Sequence, residues 1–444
     1  MITLKQAAQW CGGKVLPEYE NVAFLGAEND SRSILPGQLF VALRAARDGH
    51  DFIGKAMEAG AAAALGERQL PGVPMIVVPD SLTGLQKIAR GWRQTLGETR
   101  FIGLTGSVGK TTTKEMTATA CAAVYRTQWT QKNYNNDIGV PRTLLELRPE
   151  TELAVVEMGM NHAGELSRLT RLALPDVAVI TNVGTMHIEN LGSREGICKA
   201  KLELLEGLSP DGVAVLNGDE PLLRRASPAC KTLWFGLGTD CDLRAEAVRT
   251  SAFETAFTAV GFGERVDVLL PTPGEHNALN ALAAMLAAHC VGVPLRKAAE
   301  ALRSFVNTGD RLRTYRQDGY TVIADCYNAG PESARAALRV LRDIPTEGRK
   351  IAVLGDMLEL GDFAPAAHRA VGEQAAQSAD LILAYGPLSR ELTAAAGGKA
   401  RHFEAKEDLL AALRASAQSG DVLLFKGSHG MHLEQVMNAF FSKH

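Results

Sequence analysis

The run Thr105-Gly106-Ser107-Val108-Gly109-Lys110-Thr111, directly after the apolar stretch Phe101-Ile102-Gly103-Leu104, decides how this chain is read. It places a glycine turn between a strand and a helix, the helix opening Thr112-Thr113-Lys114-Glu115-Met116. Backbone N–H groups of such a turn converge on an anion, and the helix aims the positive end of its dipole at the same point. Lys110 adds a full charge that the backbone cannot supply, and the Thr111 hydroxyl stands where it can ligand Mg²⁺. Gly106, Ser107, Val108, Gly109, Lys110, Thr111 and Thr112 are therefore read as a nucleotide phosphate cradle. The loop departs from the usual consensus once: Leu104 occupies the position of the first glycine, which falls at Gly106 instead.

Outward from the loop, apolar runs alternate with helical patterns, as buried parallel strands with crossover helices do. Ala154-Val155-Val156, Val177-Ala178-Val179-Ile180 and Val213-Ala214-Val215-Leu216 each end in polar residues, Glu157, Thr181-Asn182 and Asn217-Gly218-Asp219. In an open α/β sheet the ligand lies beyond the carboxyl ends of the strands, which is where these residues fall. The stretches from Leu243 to Val248 and Ala256 to Leu270 alternate enough to suggest an antiparallel edge. A second series of strands begins with Thr321-Val322-Ile323-Ala324 and ends with Val422-Leu423-Leu424-Phe425. The expected fold is α/β in three domains. These are a small N-terminal α/β domain over 1–98, a central P-loop ATPase-like domain with a mostly parallel sheet over 99–309, and a C-terminal Rossmann-like doubly wound sheet over 310–444.

The 444 residues carry a net charge of -3 and 46% apolar residues, enough for several cores and too little positive charge to favour nucleic acid or anionic membrane. Seven scattered cysteines without a Cys-x-x-Cys spacing read as reduced thiols rather than zinc ligands or disulfides. The N-terminus meets polar residues too soon for a secretory signal, and the longest apolar stretch, Ala278 to Val293, is too short to span a bilayer. A soluble cytoplasmic protein without membrane insertion is expected. No exposed apolar repeat or heptad stands out, so a monomer is expected.

Several residues are candidates for chemistry. Glu157 ends a strand where a P-loop protein needs a carboxylate for Mg²⁺; the plain alternative is a solvated strand-end glutamate. His187, just past the next strand, reads equally well as a metal ligand or as a satisfied polar residue. Lys199 and Lys201 point to different sides of a helix, so one can face solvent and the other the site. Asn277 and Asn280 share a helix face, and buried amides there need partners, an adenine edge among them. Asp325 to Pro331 follows a strand at a sheet's carboxyl edge. Arg311, at the junction of the second and third domains, can reach phosphate charge or form an interdomain salt bridge.

Taken together, these residues resemble the Mur ligases, ATP-dependent enzymes that add amino acids to the peptide of the bacterial cell-wall precursor. The resemblance runs along essentially the whole chain. It is carried by Asp30-Ser31-Arg32, Pro36 to Leu43, TGSVGKTTTKE, Asn135-Asn136-Asp137-Ile138-Gly139-Val140-Pro141, Glu157 to His162, TNVGTMHIENLGSREGI, Ala200-Lys201, HNALNAL, Asp325 to Pro331 and Leu354 to Gly361. The shortened P-loop is also this family's variant. Glu157-Met158-Gly159-Met160-Asn161-His162 and Tyr327-Asn328-Ala329 resemble the dipeptide-adding branch, while the Asp-Asn-Pro-Arg motif of the branch adding the third residue is absent.

The resemblance implies ligation of D-alanyl-D-alanine to UDP-N-acetylmuramoyl-tripeptide through an acyl phosphate. It implies that Lys110 steadies the γ-phosphate of ATP and that Thr111 and Glu157 hold one Mg²⁺. A second Mg²⁺ would be held by His187 and a carbamylated Lys201. Asn277 and Asn280 would meet the adenine side, and Arg311, Asp325 and Asn328 would close from the C-terminal domain. Ser31 and Arg32 would serve the uridine end, with Asn135 and Asn136 also on the substrate side. The chain departs from the family at three places: Gly330 stands where asparagine is usual, His429 where arginine is more frequent, and the loop Ala45 to His50 is irregular against the family pattern. The alternatives are a sister amide ligase with another acceptor, and a P-loop regulatory protein. The Asn/Thr-Lys-x-Asp element of guanine switches, absent here, argues against the latter.

Overall fold

The structure is a computed structural model and describes residues 1–307, 309 and 311–442. The expected start of the third domain, Asp310, lies outside the described residues. The chain gathers into two compact units, each assembled from separated stretches. One comprises Met1–Thr105, Val124–Val179 and Leu202–Ala214; the other comprises Gly106–Ala123, Ile180–Lys201 and the chain from Val215 onward.

In the first unit, Ala27–Glu28, Leu39–Val41, Ala63–Gly66 and Met75–Val77 form a parallel four-stranded sheet in that order. Ile34, Phe40, Ile53 and Met75 pack into its core. The helix Ser81–Thr95 follows, capped by Asp80, whose side chain accepts the Thr83 N–H at 2.7 Å. Its buried face, Leu85, Ile88, Ala89 and Trp92, has the spacing of one helical stripe. The strand Leu153–Glu157 runs parallel to both Arg100–Thr105 and Thr127–Trp129. All five of its residues are buried, which explains its nearly unbroken apolar sequence. Its register sets Glu157 beside Leu104, just before the phosphate loop begins.

In the second unit, Lys231–Gly236 pairs parallel with Leu243–Thr250, and an antiparallel meander follows through Thr255–Gly261 and Glu264–Leu270, as the alternation predicts. The helix Glu275–Cys290 is buried nearly all round, matching its apolar sequence. A six-stranded sheet has the order Arg313–Gln317, Tyr320–Asp325, Val422–Lys426, Lys350–Gly355, Leu381–Tyr385, Ala400–Phe403. It is parallel apart from its first hairpin. The last strand in sequence, Val422–Lys426, thus lies between two earlier ones, which brings Lys426 opposite Asp325. The seven cysteines are free thiols, and among the described residues no helix is long and apolar enough to cross a membrane.

Candidate active site

The helix Lys110–Ala122 begins after Gly109, which takes φ 79° and ψ -4°. L side chains rarely adopt that left-handed conformation, and a Cβ there would also meet Asn280 Oδ1 at 2.6 Å. No side chain caps the helix, so the first-turn amides of Thr111 and Thr112 remain for an anion. Lys110 Nζ folds back on its own loop, donating to Gly106 O at 2.9 Å and Ser107 O at 3.4 Å. A phosphate would offer the ammonium stronger, charge-assisted acceptors in place of those carbonyls.

The Ser107 and Val108 N–H groups donate to Asn182, to its carbonyl at 3.2 Å and its Oδ1 at 3.0 Å. Thr181 Oγ1 and Asn182 Nδ2 each donate to Val108 O at 2.9 Å, and Ser107 Oγ accepts the Gly184 N–H at 2.8 Å. Thr181 and Asn182, which the sequence marked only as polar strand-end residues, therefore brace the loop. Asn277 and Asn280 do the same from the other side. Asn277 is buried, donating to Pro273 O at 2.7 Å and Thr272 Oγ1 at 3.3 Å, and its Oδ1 accepts from Asn280 at 3.0 Å. Asn280 Oδ1 accepts from Thr113 at 3.3 Å. These amides satisfy one another and support Gly109.

On the carboxylate side, Glu157 is 1% exposed. Its Oε1 accepts from Asn135 Nδ2 at 2.8 Å, while its Oε2 is buried without a partner. Asn135, expected on the substrate side, orients this carboxylate. Asn136 accepts the N–H groups of Ile138 and Gly139 at 3.2 and 2.9 Å and so starts the helix Gly139–Leu145. Among the described residues no group of three or more His, Cys, Asp or Glu side chains is placed to hold a metal ion. Mg²⁺, however, takes one or two protein carboxylates and completes its shell from phosphate oxygens and water. A buried carboxylate oxygen lacking a donor, such as Glu157 Oε2, fits that role.

Lys199 is exposed and Lys201 buried, so the two lysines separate as their spacing requires. Burial drives the Lys201 amine well below its ordinary value, and the Lys110 charge pushes in the same direction. His187 Nδ1 lies 3.0 Å from Glu359 Oε2, within ion-pair reach but without hydrogen-bond alignment. The His187 ring holds the Glu359 carboxyl below its usual range, with the Lys110 charge assisting. Lys110, Lys201, His187 and Glu359 thus fall in one electrostatic neighbourhood. Glu359 lay within the quoted Leu354 to Gly361 segment, but nothing local pointed it at a histidine far earlier in the chain. Glu332 is a second such residue: its carboxylate accepts the Thr185 N–H at 3.1 Å and the Thr185 hydroxyl at 3.0 Å. A Cβ at Gly330 would collide with Met186 Sδ, so a side chain at that departure from the family pattern would require Met186 to move.

The remaining candidates have partners within the chain. Asp325 pairs with Lys426 at 2.6 Å and accepts the Leu312 N–H at 3.2 Å, which compensates its charge within the domain. Arg311 lies over the Tyr327 ring at 3.8 Å, and Asn328 Oδ1 accepts the Ala329 N–H at 2.8 Å. Arg32 is exposed and pairs with Asp30 at 2.6 Å, beside a partly buried Ser31.

Two family models match the sequence, the Mur ligase middle domain over residues 104–288 and the Mur ligase glutamate ligase domain over residues 310–429. The chain belongs to the Mur ligase family. It is 42% identical to the UDP-N-acetylmuramoyl-tripeptide--D-alanyl-D-alanine ligase of Bacillus subtilis, covering 98% of this chain and 97% of that protein. A crystal structure of MurF from Acinetobacter baumannii superposes with a TM-score of 0.91 at 32% identity, covering 100% and 99% of the two chains. MurF ligase from Thermotoga maritima in complex with ADP superposes at 0.84 with 29% identity, covering 94% and 97%. The three-domain α/β architecture with a mostly parallel central sheet is that of these Mur ligases.

Proposed function

We propose that this Mur ligase joins D-alanyl-D-alanine to UDP-N-acetylmuramoyl-tripeptide in the cytoplasm, as a monomer, with ATP converted to ADP and phosphate. The proposed domains are 1–98 for the UDP-sugar peptide, 99–309 for ATP and 310–444 for closure over both. The observation that carries the reading is the uncapped helix start at Gly109 with Lys110, Lys201 and His187 in its neighbourhood. The terminal carboxylate of the tripeptide attacks the γ-phosphorus of ATP, the bond to the bridging oxygen breaks, and an acyl phosphate and ADP result. The amine of the dipeptide then attacks the acyl carbon, loses a proton, and phosphate leaves. Little covalent chemistry is asked of the protein, so positioning and charge neutralisation dominate.

Lys110 would leave its loop carbonyls for the γ-phosphate. Glu157 and Thr111 would hold one Mg²⁺, with Asn135 fixing the carboxylate. Lys201 suits carbamylation because burial disfavours its charged form and pushes the amine well below its ordinary value, and only a neutral amine can attack CO₂ and release a proton. With His187 the carbamate would hold a second Mg²⁺. When bound, the metal ions neutralise the charge that develops on the transferring phosphoryl group. Incubation with ATP, Mg²⁺, tripeptide substrate and a panel of acceptor dipeptides and amino acids tests the reading. Release of ADP and phosphate in step with pentapeptide is expected; ATP hydrolysis without pentapeptide, or preference for another acceptor, overturns it.

A further inference from the structure

Arg142 takes no part in the chemistry described above, yet its guanidinium is among the most fully engaged in the first unit. The residue is 7% exposed, and Glu28, its partner, 5%. Arg142 Nε donates to Ala27 O at 3.1 Å, Nη1 to Asn29 Oδ1 at 3.2 Å and Nη2 to Glu28 Oε2 at 2.5 Å. The other Glu28 oxygen accepts the N–H groups of Asn29 at 2.8 Å and Asp30 at 3.1 Å. Asp30 continues the chain of contacts, accepting the Arg32 N–H at 3.0 Å and pairing with the Arg32 guanidinium at 2.6 Å. The Tyr134 ring covers the Arg142 guanidinium at 4.1 Å.

A buried ion pair is a poor way to gain stability, since desolvating both charges cancels much of their attraction. What it supplies is geometry. One planar fork fixes three consecutive residues, 27 to 29, and the carboxylate it holds fixes the next two amides, so the loop enters Ser31-Arg32 in a single conformation. Lysine, a point charge with rotatable donors, could not replace it. The segment that carries Arg142 also carries Asn135, which orients Glu157. One short stretch therefore contacts both Glu157, through Asn135, and the loop at residues 29–32, through Arg142.

We propose that the buried Glu28–Arg142 pair is a positioning element for the loop 29–32, and that through this loop it sets the affinity for the uridine diphosphate end of the sugar-peptide substrate. This rests on the reading of Ser31 and Arg32 as uridine-side residues. The test is calorimetric titration of UDP-N-acetylmuramoyl-tripeptide into the full-length enzyme without ATP, for wild type, Arg142→Met, Arg142→Lys, Glu28→Gln and Arg32→Ala. KM for ATP is measured alongside. Arg142→Met should weaken binding about ten- to hundredfold, as loss of charge-assisted hydrogen bonds does, with KM for ATP within about twofold of wild type. Arg142→Lys should recover only part of the loss. Adding Arg142→Met to Arg32→Ala should weaken binding by less than the product of the two single effects, because the two act through one loop.

Normal binding by Arg142→Met alongside weakened binding by Arg32→Ala overturns the proposal and leaves the uridine reading intact. Normal binding by Arg32→Ala overturns the uridine reading itself. If Arg142→Met does not fold, Glu28→Gln, which keeps shape and removes charge, decides in its place: unchanged affinity overturns the proposal.

Discussion

Gly109 and Gly330 are both glycines next to helix starts in the second unit, and each is excluded from carrying a Cβ by a named neighbour. The reasons differ. At Gly109 the backbone is left-handed at φ 79°, and the neighbour is Asn280, an amide held in a buried hydrogen-bond network. At Gly330 the backbone is extended at φ -143°, a conformation open to any residue, and the neighbour is the thioether of Met186. The first glycine is required twice over, by conformation and by space, and a polar bracket enforces it. The second is required only by space, and by a flexible side chain.

That contrast can be broken experimentally, and the largest effect should come from the phosphate loop. Gly109→Ala should lower kcat about a hundredfold, because displacing the loop by an ångström moves Lys110 and the helix amides off the phosphate. Shrinking the neighbour with Asn280→Ala should not restore it, since the strain at φ 79° remains; recovery in the double variant would show that space alone matters there. Gly330→Ala should cost about 1 to 3 kcal/mol in urea unfolding, the range for overpacking, and Met186→Ala should return most of it. Failure of that rescue would mean the two positions are not in competition for the same volume.

A third effect concerns the helix that carries Asn277 and Asn280. Burial, with the charges of Arg339 and Lys426, pushes His276 down to about 4. Between its ordinary value and that value the unfolded chain binds the extra proton, so stability should fall as pH drops from about 6.5 to 4, by up to about 3 kcal/mol. His276→Gln should flatten that slope in urea unfolding across the same pH range; an unchanged slope would remove His276 from the account. The smallest effect should come at Gly159, where a Cβ would lie 3.1 Å from Asn135 Cγ. Nudging Asn135 by a few tenths of an ångström should shift Glu157 and cost Gly159→Ala about fourfold in kcat.

The strand, loop and helix around Gly106 to Thr111 were legible because their cause is local: an apolar run, glycines and a lysine within a few residues. The antiparallel meander and the separation of Lys199 from Lys201 were legible for the same reason, through periodicity. Asn135, Asn277 and Asp325 were legible as important but not for what they contact. Each is an amide or acid near the site by sequence, and whether it faces a ligand or a neighbour depends on residues brought up by other elements. Glu332 and Glu359 gave no local signal, since their partners Thr185 and His187 lie far earlier in the chain.

By itself, then, the sequence determined an α/β phosphate-binding chain of the Mur ligase type, with Lys110, Glu157, His187 and Lys201 as the residues of interest. Period, turn chemistry and motif order are properties of neighbours along the chain, and they survive without coordinates. The tertiary structure decided which polar groups are already satisfied and which are left over. Asn277 and Asp325 pair within the protein, Glu157 Oε2 is left without a donor, and burial lowers the Lys201 amine well below its ordinary value. Hydrogen-bond partners and dielectric environment belong to the folded neighbourhood, and residues distant in sequence supply both.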